Sequence, residues 1–372
     1  MGCVELGDIA NIKTGKLDAN ASSMTGKYLF FTCSNKPLKI DSYSYDCECV
    51  LVAGNGNLNV KYYNGKFDAY QRTYIIESID KNNYSNKYLY YLLENNINNL
   101  RQLSIGGVIK YIKLNNLTDI LLKKITLDNQ KKITKQLDSI TELIEIKEKQ
   151  YFQFCEMIHS QFTELFGDLR INEKRWNMIE FKNFVEYMAD IGSNGSNENV
   201  AKNLVMLDSK DYALMVRTMN FTANDFSDKV KYISKKTYDY FNKSQVYGGE
   251  IIMNKIGSPG ECWIMPNLHK PVSLGLNQFL IRLNNKANTE FIYYLLNSCY
   301  GKQELKKRIN GAVTKSIGKL VVKEIPIPEV PLELQNEFAN FVTKTEEQKE
   351  LINKEIEKLQ YLFDTKMNEY FG

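Results

Sequence analysis

From Ile133 the apolar positions of this chain recur at alternating steps of four and three: Ile133, Leu137, Ile140, Ile144, then Tyr151, Phe154, Ile158 and Leu165, with Lys147 and Gln161 as the two polar interruptions. A second stretch repeats the rhythm through Phe338, Val342, Thr345, Lys349, Ile352, Ile356, Leu359, Phe363, Lys366 and Tyr370. Such spacing lines one side of an α-helix with a coiled-coil seam. Neither stretch holds a Pro or an internal Gly, and Gly167 and Gly372 stand where a helix would stop. The pattern therefore predicts two helices, over 127–168 and 332–372, each roughly 55 to 60 Å long at 1.5 Å per residue.

The segments before the helices, 1–126 and 169–331, follow another pattern. Short β-branched and aromatic runs, such as Tyr28-Leu29-Phe30-Phe31, Glu48-Cys49-Val50-Leu51-Val52 and Gln278-Phe279-Leu280-Ile281, alternate with Gly and Asn turns. One short helix, beginning near Lys87 and ending at Leu93, has a counterpart at Tyr293-Tyr294-Leu295-Leu296. The fold class is α+β: two small mixed domains, each followed by a long helix.

The two halves are copies. Gly106, Val108, Lys110 and Ile112 match Gly311, Val313, Lys315 and Ile317, and Ile120, Leu127, Gln130 and Phe166-Gly167 match Ile325, Leu332, Gln335 and Phe371-Gly372 at the same offset. Further upstream the offset shrinks: Val50-Leu51-Val52 resembles Ile251-Ile252-Met253, and Val4-Glu5-Leu6 resembles Ile179-Glu180-Phe181. The second copy thus holds an insertion of roughly 25 residues between about 190 and 245. Two equivalent seams in one chain most simply bury each other as an antiparallel coiled coil. Separate hairpin partners or a homodimeric coiled coil remain the alternatives.

Composition narrows the function. The formal net charge is only +4, so any nucleic-acid footprint must come from clustering rather than bulk charge. No run of apolar residues is long enough for a membrane span, and no leader-like segment opens the chain; a cytoplasmic protein without a membrane partner is expected. The seven cysteines show no repeated spacing, and Cys47-Glu48-Cys49 lacks a second pair to complete four metal ligands. No metal site is expected, and the thiols should be reduced. Only two histidines occur, His159 and His269, in different halves. The stretch from Gly54 to Asn59 lacks the third glycine of a dinucleotide loop and reads as a turn between strands. No catalytic residue is identified.

The order of motifs resembles the specificity subunit of type I restriction–modification systems. Carrying the resemblance are the two Gly-x-x-x-Lys-x-Ile segments, Ile325-Pro326-Ile327-Pro328, Pro331-Leu332-Glu333-Leu334-Gln335 and the long helix after it; the first copy keeps Leu127-Asp128-Asn129-Gln130 without the prolines. The openings Val4-Glu5-Leu6-Gly7-Asp8-Ile9 and Trp176 to Phe184 resemble the starts of the family's target-recognition domains. The resemblance implies a non-catalytic subunit that binds double-stranded DNA and reads one half of a split asymmetric site with each domain, the paired helices serving as a ruler. It implies partners as well: two copies of a methyltransferase subunit, which would bring the S-adenosylmethionine and modify adenine, and restriction or translocase subunits. No cofactor belongs to this chain.

Under that resemblance, Lys110 and Lys315 are candidates for phosphate contacts, aided by the backbone amides of Gly106, Gly107 and Gly311. Candidate base readers are Arg72 with Gln71, Arg217 with Asn220, Asn277 with Gln278, and the cluster Lys61, Tyr62 and Tyr63, because Arg suits guanine while Asn and Gln suit adenine. Each has a plainer reading: the Gly-Lys segment as a junction to the helix, the tyrosines as one face of a sheet. Two other functions stay open, a two-domain protein scaffold that never touches DNA and an enzyme with a divergent site.

Overall fold

The computed structural model describes residues 2–372. Their contacts divide into two compact units, the residues up to Gln150 together with Ile352–Gly372, and Tyr151–Leu351. Each long helix contributes to both units.

In the first unit a six-stranded sheet runs in the order Ala10–Thr14, Thr73–Ser78, Tyr45–Ala53, Val60–Ala69, Tyr28–Phe31, Leu38–Ile40. Its pairings are antiparallel except that Tyr28–Phe31 runs parallel to Val60–Ala69. The unbroken apolar run Cys49-Val50-Leu51-Val52 is explained by burial on both faces. Val50, Val52 and Ile76 pack under the helix Asn86–Asn95, against Tyr88, Leu89 and Leu92. Cys49, Leu51 and Ile75 face the other way, onto Phe31 and Phe67. Alternate residues on a strand point to opposite faces, so such a run belongs to a sheet covered on both.

The second unit is also built on a sheet buried on both faces, here four-stranded: Val185–Asp190, Gln278–Leu283, Ile251–Asn254, Cys262–Ile264. Ile251, Met253, Phe279 and Ile281 pack beneath the helix Thr289–Asn297. Ile252 and Leu280 face a three-stranded sheet, Lys231–Ile233, Ala213–Val216 and Val272–Leu274, through Leu214, Val216 and Leu274. Two of those three strands come from the inserted segment.

Several of the shared residues prove to be structural. Cys3–Glu5 pairs with Leu121–Lys123, and Met178–Glu180 pairs with Pro326–Pro328. The next residue, Leu6 or Phe181, is fully buried and donates its amide to the carbonyl of Ile120 or Ile325, 2.8 Å in both units. Gln130 and Gln335 sit one turn inside each long helix and are also buried. Gln130 accepts from the Ser85 amide (2.9 Å) and donates to the Asn83 carbonyl (2.8 Å); Gln335 accepts from Asn288 (2.8 Å) and donates to Val330 (2.9 Å). A buried amide is tolerated only when its polar atoms are satisfied, so this glutamine fastens each long helix to the loop before its domain helix.

The long helices are Leu127–Phe166 and Leu332–Phe371, and Gly167 leaves the first with φ 76°. All twenty seam positions read from the sequence are buried or half-buried. In the first unit Gln136 accepts from the Tyr370 hydroxyl (2.5 Å) and Lys147 pairs with Glu355 (2.7 Å), so the helices run antiparallel there. The second unit shows the same sense, with the Lys349 ammonium over the Tyr151 ring and Phe162 and Phe166 against Phe338.

Candidate nucleic-acid interface

At one end of each central sheet three segments meet and are tied together by backbone hydrogen bonds. In the first unit, the end of Tyr45–Ala53 continues into Gly54. The Gly54 amide donates to the Arg72 carbonyl (2.8 Å), in the turn that opens Thr73–Ser78. The Gly54 carbonyl accepts from Ile112 (2.9 Å), and Gly56 donates to Lys110 (2.9 Å). Ile105 and Tyr111 bond reciprocally at 2.9 and 2.8 Å, closing a tight loop over 106–110. Gly106 has φ 118°, and a Cβ there would lie 2.6 Å from the Ile109 carbonyl oxygen, so only glycine fits.

The second unit repeats the junction with different side chains. Lys255 donates its amide to Asn277 (2.7 Å) and accepts from Ile317 (3.0 Å), while Asn310 and Ser316 bond reciprocally at 2.9 and 2.8 Å. Gly311 has φ 101°, with a hypothetical Cβ 2.2 Å from the Thr314 carbonyl oxygen.

The structure thus brings together Gln71, Arg72, Gly106, Gly107 and Lys110 in one unit, and Asn277, Gly311 and Lys315 in the other. Gln71, Arg72, Lys110, Asn277 and Lys315 are exposed, and among the described residues no hydrogen bond or ion pair engages their side chains. Arg217 is half-buried at the rim of an open cleft of about 300 Å³ with Met206, Met219, Leu276, Asn277 and Gln278. Its guanidinium donates to the Lys229 carbonyl, while its Nε is buried without a partner.

Four candidates hold the fold instead. Asn220 is buried and caps the turn at 217–220, accepting from the Arg217 amide at 3.0 Å and donating to Asp225 at 3.2 Å. Gln278 is buried, and its amide, with the nitrogen toward the Val216 carbonyl (3.2 Å) and the oxygen toward the Thr218 amide (3.3 Å), leaves no edge for a base. The Tyr62 hydroxyl donates to Glu48 (2.7 Å) and its ring lies under the Lys87 ammonium. Tyr63 packs on Phe31 and Phe67 on the other side of the strand. Lys61 is intermediate: half-buried, it donates to Asn59, whose amide reaches the Cys33 carbonyl (2.9 Å), and burial lowers its pKa.

Two features escaped the sequence reading. Behind the second junction, Asp190 is nearly buried between Lys319 (2.8 Å), Lys255 (3.1 Å) and the Ser193 hydroxyl (2.8 Å). Burial alone would raise its pKa, but these partners outweigh it and hold the carboxyl down at about 2. This Asp–Lys–Lys set has no sequence spacing that announces it, because its members are 65 and 129 residues apart. The other feature is the tip of each loop, Val108 and Val313, exposed at 103% and 98%; the repeat itself was its signal. Among the described residues no cluster of His, Cys, Asp and Glu could hold a metal ion, and no helix is long and apolar enough to cross a membrane.

Comparison with known proteins places this arrangement. The family model described as the type I restriction modification DNA specificity domain matches residues 1–153 and again 189–361. The type I restriction enzyme EcoDI specificity subunit of Escherichia coli is 27% identical, over 95% of this chain and 83% of its own length. In fold, the chain is similar to the type I restriction–modification S subunit of M. genitalium, with a TM-score of 0.63, 16% identity and coverage of 100% of this chain and 96% of that one. It is also similar to a chain from a study of complex assembly and conformational transition of the type I R-M system, with a TM-score of 0.56, 12% identity and coverage of 100% and 97%. Matched twice along most of its length, the chain belongs to the DNA specificity family of type I restriction–modification systems.

Proposed function

We propose that the two junctions are the DNA-reading ends of this specificity subunit, each addressing one half of a split asymmetric duplex site. The observation that carries this reading is a backbone junction built twice with the same bonds but different outward side chains. Gln71-Arg72 stands in one unit where Leu276-Asn277 stands in the other. Common elements position a protein on the phosphate backbone, whereas sequence is read by groups that differ with the target. Lys110 and Lys315 take phosphates; Arg72 with Gln71, and Asn277 with Arg217, face base edges. In this reading 1–126 and 169–331 are the target-recognition domains and the two long helices set the gap between half-sites.

Chemistry is left to partners. Two copies of a methyltransferase subunit, carrying S-adenosylmethionine, methylate adenine at the sites this chain selects, and restriction or translocase subunits join the same assembly. The work is intracellular, on host and invading duplex DNA. Co-expression with the methyltransferase subunit of its own system, followed by mapping of methylated adenines, tests the proposal. A split motif appearing only in the presence of this chain is the expected result. A stable complex with the methyltransferase but no new methylation would favour a protein scaffold.

A further inference from the structure

The two tip loops share four residues over seven positions, and the fold accounts for only two of them. Gly106 and Gly311 are required by backbone conformation. Ile112 and Ile317 are buried in the cores of their units, at 3% and 2% exposure. What remains is Val108 with Lys110 and Val313 with Lys315. The valines are as exposed as a side chain can be, and among the described residues nothing bonds or pairs with either ammonium. A single exposed valine needs no explanation. The same valine at the same place on two loops whose other residues differ (Gly107 and Ala312, Ile109 and Thr314, Tyr111 and Ser316) does.

We propose that Val108 and Val313 are apolar minor-groove contacts, each seated against sugars and base edges of duplex DNA while the adjacent lysine holds a phosphate. This rests on the DNA-reading function above and deepens it. Three observations favour the minor groove of DNA over a docked protein. First, the shared surface shrinks to one apolar and one cationic side chain, whereas a common protein partner would need a wider common patch. Second, its neighbours at each junction are the residues that differ, Gln71-Arg72 in one unit and Leu276-Asn277 in the other. Third, a contact common to readers of different sequences suits the minor groove, whose pattern of donors and acceptors is nearly degenerate and where proteins insert apolar side chains between base steps alongside Lys and Arg. The loop is built for a fixed contact: its root is closed by reciprocal backbone bonds and tied through Ile112 or Ile317 to the strand end.

The test uses the full chain with its co-expressed methyltransferase, a duplex carrying the motif found by methylation mapping, and a scrambled duplex of equal length. Val108→Ala with Val313→Ala should weaken binding to both duplexes by about tenfold or more, from the apolar area lost, without changing the salt dependence. Interference from N3-methyladenine, a minor-groove lesion, should be relieved at one position in each half-site. Lys110→Ala with Lys315→Ala should instead flatten the salt dependence. Val108→Thr with Val313→Thr keeps the shape and serves as a second variant, expected to lie between. Unchanged affinity of the valine variants would overturn the inference, as would loss of methyltransferase binding with DNA binding intact. Relief confined to N7-methylguanine interference would move the valine to the major groove and overturn it too. If the wild-type complex shows no salt-sensitive duplex binding, the reading function itself falls and takes the inference with it.

Discussion

The two junctions solve one backbone problem with opposite side chains. In the first unit the strand end is Gly54, where a Cβ would lie 2.5 Å from the Arg72 carbonyl oxygen and 2.9 Å from the Tyr74 ring. In the second the same hydrogen bonds are made by Lys255, whose ammonium is drawn to Asp190 with Lys319. One junction closes by tight approach, the other by a charge cluster in a nearly buried place. The difference teaches that a duplicated fold constrains the backbone bonds far more than the groups that fill the space around them. That freedom is what a reader of two different sequences requires.

The largest expected effect separates the units by stability. Phe166 is fully buried among Phe162, Phe291 and Phe338. Phe166→Ala should cost the second unit about 3–5 kcal/mol, seen as lost hydrogen-exchange protection there and not in the sheet of the first. Leu137→Ala, with Leu137 packed on Tyr91 and Met367, should do the reverse at about 2–4 kcal/mol. Protection lost equally in both would show that the two units unfold as one.

Base reading comes next. Arg72→Ala should relax one half of the recognition motif at a cost of about 1–3 kcal/mol, and Asn277→Ala should relax only the other half. Methylation mapping reads both outcomes, and a change in both halves from either variant contradicts independent reading.

The charge cluster gives a smaller effect with a definite sign. The Asp190 carboxyl is held at about 2 when folded, below an unfolded value of about 3.9. Its stabilisation is therefore present above pH 4 and is lost as pH falls toward 2. Asp190→Asn should destabilise the second unit by about 1–2 kcal/mol at neutral pH and flatten its acid melting profile. The first unit, which carries Gly54 where the second carries Lys255, should keep its own profile; a shift there would mean the carboxylate acts elsewhere. The smallest effect belongs to single phosphates. Lys110→Ala alone should lower the slope of log affinity against log salt by about 0.9, and Lys315→Ala should match it.

Much of this was legible in the sequence because it is periodic or repeated. The seam of steps four and three determined both long helices and the faces they bury, since a stripe of apolar side chains on a helix has no alternative but to be covered. Gly106 and Gly311 marked the loops, because a backbone at positive φ excludes other residues. The repeat pointed to Gln130 and Gln335 without showing that they fasten each helix to its domain. Tertiary structure alone decided which polar residues are available for DNA. Gln278 and Asn220 have side chains suited to adenine, yet both are spent inside the fold, while Asn277 beside Gln278 faces outward. One residue's step along a strand end reverses the side on which an amide lies, and composition carries no record of that parity. The Asp190 cluster was invisible for a related reason: electrostatic pairs form where distant segments meet, and only the closed chain brings Asp190, Lys255 and Lys319 within reach.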